Sequence, residues 1–247
     1  MHALRRLSTT CLLIALTSPA LGFDLASDRW GGSVGATTDY RLRGVSQSDA
    51  SPAGQLDVHY QSPVGESSVG WFAGLWASTV RLYRYENQTV ELNAYAGIAW
   101  AIDADWSAKL ALSHYAHPWD SLARHYDYDD VTVGTAWRDQ LFLSATWSPN
   151  MSIVSTRGVV LNRSALTYDV TGRLPLIERL SAVGGIGYYD LSELAGRGYW
   201  YGSAGLAYDL QRLHFDVSRV QNSPAARELF YGDQADNRWV ATVVWTF

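Results

Sequence analysis

The stretch Trp239-Val240-Ala241-Thr242-Val243-Val244-Trp245-Thr246-Phe247 decides the fold. Trp239, Ala241, Val243, Trp245 and Phe247 fall two residues apart. The residues between them are Val240, Thr242, Val244 and Thr246. Side chains on a β-strand alternate faces with period two, so this is one strand with an aromatic, apolar side and a weakly polar side. A soluble sandwich can end on a strand of this kind. An outer-membrane β-barrel has a physical need for one, because its last strand pairs with its first and leaves no backbone edge facing lipid. The five residues of the aromatic face are expected to form the assembly signal read by the barrel-assembly machinery.

The rest of the chain follows the same rhythm. Of 247 residues, 47% are hydrophobic and 17% charged, with 15 Tyr, 11 Trp and 21 Gly, a composition that favours strands over helices. Apolar and polar residues alternate most clearly at 90–100. There Val90, Leu92, Ala94, Ala96, Ile98 and Trp100 oppose Glu91, Asn93, Tyr95, Gly97 and Ala99. Similar strands are predicted at 32–44, 54–60, 71–78, 106–115, 130–137, 141–147, 166–171, 180–189, 199–208 and 213–218, with 239–247 closing the series. The facing of 71–78 does not follow from its residues. A connection over 148–163 and a turn at Pro175 are expected. The connections alternate between short turns and longer polar loops, the longest being Gln221 to Asn237. Twelve strands with alternating short and long connections predict an all-β, transmembrane, antiparallel up-and-down barrel over residues 23–247.

Residues 1–22 read as a secretory signal. Arg5 and Arg6 precede a short apolar core, Cys11 to Leu16, and small residues follow; cleavage is expected after Gly22 or Ala20. Cleavage removes the only Cys, so the mature chain is expected to form no disulfide. No later apolar run is long enough for a spanning helix. The net charge of -5 argues against a nucleic-acid partner. The expected location is the bacterial outer membrane. Its lipid and lipopolysaccharide, the assembly machinery and small solutes are the expected partners.

If the apolar faces meet lipid, the other faces line a lumen. The predicted pore-lining residues are Asp39, Arg41, Arg43, Asp57, His59, Glu91, Asn93, Lys109, Asp130, Asp169, Arg173, His214 and Asp216. Charges are costly against hydrocarbon, so their place on one alternating face argues that this face is wet. For each pair the competing reading is a salt bridge that braces the wall. Twelve strands lie between filled eight-stranded barrels and open sixteen-stranded porins, so a narrow bore is expected. Passive diffusion of small polar or charged solutes is the predicted function. A non-conducting structural or receptor barrel, plugged by side chains or by residues 23–29, is the alternative. Acids in the longer loops (Asp120, Asp127, Asp129, Asp190, Glu193, Glu228, Asp233 and Asp236) are expected to be solvated, or else to steer cations or hold divalent ions. A lipid hydrolase is the remote alternative, resting on Ser113, His114, His117 and His125. Adjacent residues on a strand point to opposite faces, so Ser113 and His114 cannot share a proton. No metal or cofactor motif stands out.

Ser33-Val34-Gly35-Ala36-Thr37-Thr38-Asp39-Tyr40-Arg41-Leu42-Arg43-Gly44-Val45-Ser46-Gln47-Ser48 resembles the opening signature of the TorF-like porins, proteobacterial outer-membrane proteins of unknown function. Trp71 to Ser78 and Val90 to Gly97 are similar to its next two blocks. The likeness is strong over residues 32–100 and at the closing strand. It implies an outer-membrane barrel and a pore, with no catalytic residues and no agreed substrate.

Overall fold

The computed structural model describes residues 29–62, 68–82, 88–120, 126–154, 160–230 and 232–247. The predicted signal segment, most of the 23–29 plug and His125 lie outside them. The strands in chain order are β1 (Arg29–Thr37), β2 (Arg41–Leu42), β3 (Val45–Ser46), β4 (Ala53–Gln61), β5 (Val69–Val80), β6 (Thr89–Ala101) and β7 (Trp106–Ala116). They continue with β8 (Tyr128–Trp137), β9 (Leu141–Val154), β10 (Val160–Ile177), β11 (Leu180–Asp190), β12 (Tyr199–Leu210), β13 (Leu213–Asn222) and β14 (Arg238–Thr246). Two short helices, α1 (Ser192–Ala195) and α2 (Pro224–Leu229), sit in connections. All strands but β2 and β3 form one closed antiparallel barrel of twelve, in which each pairs with its sequence neighbours and β1 pairs with β14.

Closure runs from Ser33 opposite Thr246 to Thr37 opposite Thr242. It extends by one exchanged pair, the Gly32 amide donating to the Phe247 carbonyl at 3.1 Å and the Phe247 amide to the Gly32 carbonyl at 3.0 Å. The Phe247 ring lies over Gly32, where a Cβ would come within 2.7 Å of it, so only glycine admits this contact. The closing strand presents Trp239, Val243, Trp245 and Phe247 outward and keeps Val240, Thr242 and Val244 buried inside.

The same alternation holds around the wall. Leu56, Val58, Leu75, Ile98, Leu112, Val133, Leu143, Val170, Ile186, Leu206 and Val217 are exposed on the outside, while Asp57, Glu91, Asn93, Asp130, Asp169 and Ser218 are buried inside. Outward aromatics gather near the rim that holds the chain ends, with Tyr60 packed against Trp30 (centroids 5.6 Å apart) and Trp71 (5.0 Å). They gather again near the other rim, where Tyr188 meets Trp200 at 4.9 Å. Amphipathic rings suit the two membrane–water boundaries.

Three sequence expectations change, and the facing that the sequence left open is defined. The first wall strand ends at Thr37, and residues 38–52 fold into the barrel instead of continuing it. Segment 71–78 belongs to β5, which turns Phe72, Trp76 and Val80 inward and Trp71 and Leu75 outward. Both of its faces are apolar, which is why its facing was not legible. The expected 148–163 connection is mostly strand, since β9 runs to Val154 and β10 begins at Val160. Pro175 does not turn the chain: β10 continues to Ile177 past a register shift, a position that tolerates the missing N–H.

This facing predicts unequal costs for a charge on the two sides of β8. Val133→Arg should cost about 2–4 kcal/mol in urea unfolding from lipid vesicles, and Thr132→Arg, on the inward face, less than half of that. Equal costs would overturn the assignment of inside and outside.

Candidate functional site in the lumen

The connection from β1 to β4 carries a two-residue hairpin inside the barrel. Arg41 pairs with Ser46 and Leu42 with Val45, and the turn between them is Arg43–Gly44. Both turn residues are left-handed, with φ of 52° and 80°. Tight hairpins favour this geometry because its twist matches that of the strands, but it needs glycine or a strained residue. Gly44 has no room for a side chain: a Cβ would lie 2.2 Å from Asn222 Oδ1 and 2.7 Å from the Tyr201 Cβ. Tyr40, Arg41, Leu42, Arg43, Val45, Ser46 and Ser48 are all buried.

The near side of the hairpin is tied to the connection before β14. The Ser46 amide donates to the Gln234 carbonyl at 2.9 Å, and Arg41 Nη1 donates to the carbonyls of Asp236 (2.7 Å) and Gly44 (2.9 Å). Arg41 Nε also pairs with Asp39 at 2.7 Å, and Asp39 Oδ1 accepts from Ser46 (2.6 Å) and Ser48 (3.1 Å). Asn222 Nδ2 donates to the Gly44 carbonyl at 2.9 Å.

The tip reaches the wall five strands away from β1. Arg43 Nη2 donates to Asp130 Oδ2 at 2.8 Å, and its guanidinium lies 4.5 Å from the Tyr189 ring centroid and 5.9 Å from that of Tyr128. Asp130 Oδ1 accepts from the Ser148 hydroxyl. The Arg43 carbonyl accepts from Tyr199 at 2.9 Å. Tyr40 packs on Trp76 (5.3 Å) and donates to Glu91 at 2.9 Å. His117 stands 3.4 Å from the other Glu91 oxygen and 3.1 Å from Asp127, which joins this anchor to the next loop.

Below the hairpin, toward the rim with the chain ends, the inward charges pair along the wall. Asp57 holds His59 (2.5 Å) and Tyr95 (2.7 Å), and Asp169 accepts from Tyr201 at 2.5 Å. Arg173 pairs with Asp209, which also meets His214 at 2.8 Å; Asp216 accepts from Ser218 at 2.8 Å. Lys109 lies over Gly134 and has no ion-pair partner among the described residues. Asn93 is buried, with neither amide atom partnered among the described residues.

Ten of the thirteen predicted lining residues therefore stand on the inner wall. Asp39, Arg41 and Arg43 do not: they belong to the hairpin, and Tyr40 and Leu42, expected to face lipid, are packed inside with them. Ser113 points inward while His114 points outward and bonds Asp129 at 2.8 Å, so the two form no dyad. Sequence reasoning missed Asp209, taken for a turn residue, and the inner tyrosines 115, 128, 189, 199 and 201. A signal for the last was present: inward glycines lie beside inward tyrosines, and a Cβ on Gly187 would fall 2.3 Å from the Tyr201 ring.

The molecule is a twelve-stranded barrel of the outer-membrane type with an inward hairpin across its lumen. It belongs to the family Gcw_chp, a bacterial family of unknown function, which matches residues 26–247. No curated protein matches the chain. Among solved structures it is similar to a membrane protein from a study of in-meso crystallization, with a TM-score of 0.58 and 12% identity over 89% of this chain and 83% of that one. It is also similar to the KdgM porin, with a TM-score of 0.52 and 8% identity over 88% of this chain and 99% of that one. At these identities the likeness is one of fold.

Two outcomes follow from the hairpin's anchors. Gly44→Ala should destabilise the closed hairpin by about 1–3 kcal/mol, seen as faster amide exchange over 38–51 with the wall strands unchanged. Burial opposes charge on His117, but its bonds to Glu91 and Asp127 outweigh that and raise its pKa. A raised folded pKa stabilises below the unfolded value of about 6.5 and loses the contribution as pH rises through the folded one. Thermal stability should therefore fall from pH 5.5 to 8, and His117→Gln should flatten that slope.

Proposed function

We propose that this protein is an outer-membrane channel for passive diffusion of small polar or charged solutes, with the β2–β3 hairpin as its constriction. The observation that carries this reading is the closed wall with apolar residues outside and ion-paired polar residues inside, which a filled apolar core would not need. The resemblance to the TorF-like porins points the same way. Paired charges of both signs order water across the passage and favour polar over apolar solutes. Lys109, which has no ion-pair partner among the described residues, supplies a positive charge below the constriction. The outer membrane is reached through the secretory signal at residues 1–22, and the closing strand is what the assembly machinery receives.

The hairpin favours a second reading, in which the barrel is a closed structural or receptor protein. Arg43 is only 4% exposed and Asp130 2%, so the tip is packed against the wall.

Single-channel recording from refolded protein in a planar bilayer separates the two. Discrete, salt-dependent steps are expected from the wild type. Arg43→Ala removes a hydrogen bond between charged groups, so the open fraction should rise about tenfold or more. An inserted, heat-modifiable barrel giving no steps as wild type or as Arg43→Ala would overturn the channel reading.

A further inference from the structure

The Arg43 guanidinium occupies a cage whose walls are side chains of the barrel strands. Asp130 on β8 is oriented by the Ser148 hydroxyl of β9, which takes one carboxylate oxygen and leaves the other for a cation. Tyr128 stacks on Tyr115, with centroids 4.4 Å apart and planes at 6°. Tyr189 is set edge-on to Tyr199 at 5.7 Å. These supports are residues of the wall strands; of them, Tyr199 also donates to the Arg43 carbonyl, while the Ser148–Asp130 bond and the Tyr115–Tyr128 stack are made within the wall.

We infer that this cage is a binding site for small organic cations with a guanidinium head, and that Arg43 is its tethered intramolecular occupant. A carboxylate combined with tyrosine faces is the chemistry that selects such a head: the carboxylate accepts its N–H groups and the rings attract its charge. A second observation points to a ligand. The hydroxyl of Tyr128 is buried and has no partner among the described residues although its ring flanks the cation. A free alkylguanidinium, unconstrained by a turn, can place a remaining N–H group on it. Arg43 is held at a left-handed φ of 52°. Displacing the tip therefore exposes a site that matches its own side chain, and solutes of that class compete with the constriction. The inference rests on the reading that the lumen opens to solutes.

Isothermal titration of the refolded barrel in detergent with n-propylguanidinium chloride tests it. Arg43→Ala should bind saturably and at least about tenfold more tightly than the wild type, whose cage is filled. Adding Asp130→Asn to that variant should weaken binding about tenfold or more. Sodium chloride at equal ionic strength should give no saturable heat. Arg43→Gln and Tyr189→Leu provide the same comparison where a first variant does not refold, with heat-modifiable migration as the check on folding. Absence of saturable binding to the folded Arg43 variants would overturn the inference, as would equal affinity with and without the Asp130 carboxylate. The measurement needs no current. Steps in the bilayer without binding would remove the cage and keep the channel, whereas binding without steps would do the reverse.

Discussion

A strand exposes an N–H and a C=O on each edge, and hydrocarbon offers those groups no partner. Every other feature of this chain depends on meeting that constraint. The exchange of hydrogen bonds between Gly32 and Phe247, and the register from Ser33–Thr246 to Thr37–Thr242, join the last strand to the first. With the wall closed, each strand has only two environments, outside and inside. Val34, Val58, Val133 and Val217 can then face outward along the same wall that turns Asp57, Glu91 and Asp130 inward.

Closure also creates a difficulty. A ring of twelve strands encloses more space than its inward side chains fill with aliphatic groups, and this wall is lined by carboxylates, arginines and tyrosines. The hairpin after β1 occupies that space and meets polar groups with polar groups. Its cost is visible in the left-handed Arg43, Asp49 and Ala50, and in buried atoms with no partner among the described residues: Arg41 Nη2, the Asn93 amide, and the Tyr128 and Thr167 hydroxyls. Unpaired buried polar groups each cost about 1–3 kcal/mol, comparable to a charge-assisted hydrogen bond of the kind Arg43 makes with Asp130. The closed arrangement is thus held by a few strong contacts against several local costs, which is the balance a movable element requires.

Much of the wall was legible because alternation is a local property. On β6, β8, β13 and β14 one face is mostly apolar and the other more polar, so Glu91, Asp130, Asp216 and Phe247 could be placed from neighbours two residues away. Each failure has its own local cause. Asp39, Arg41 and Arg43 keep the alternation of the wall strand although the chain has turned inward, because a short hairpin arm has the same period as the strand it leaves. The clue was Arg43-Gly44 between Leu42 and Val45, a two-residue turn with glycine second. On β5, Phe72 and Trp76 face a lumen lined with aromatic rings, so neither face looked polar. Pro175 read as a turn because its missing N–H is tolerated only at an irregularity that the sequence does not display.

The sequence by itself determined the class of the protein: strand period, number of strands, the alternation of short and long connections, and which side of most strands faces inward. These follow from residue order alone, since side chains two apart share a face whatever the strand meets. Only the tertiary structure decided which inward groups meet. Arg43 and Asp130 are 87 residues apart, and Tyr199 reaches the Arg43 carbonyl across 156. Pairing at that separation depends on the curvature of the closed wall and on one connection folding into it, and neither is written in any local pattern.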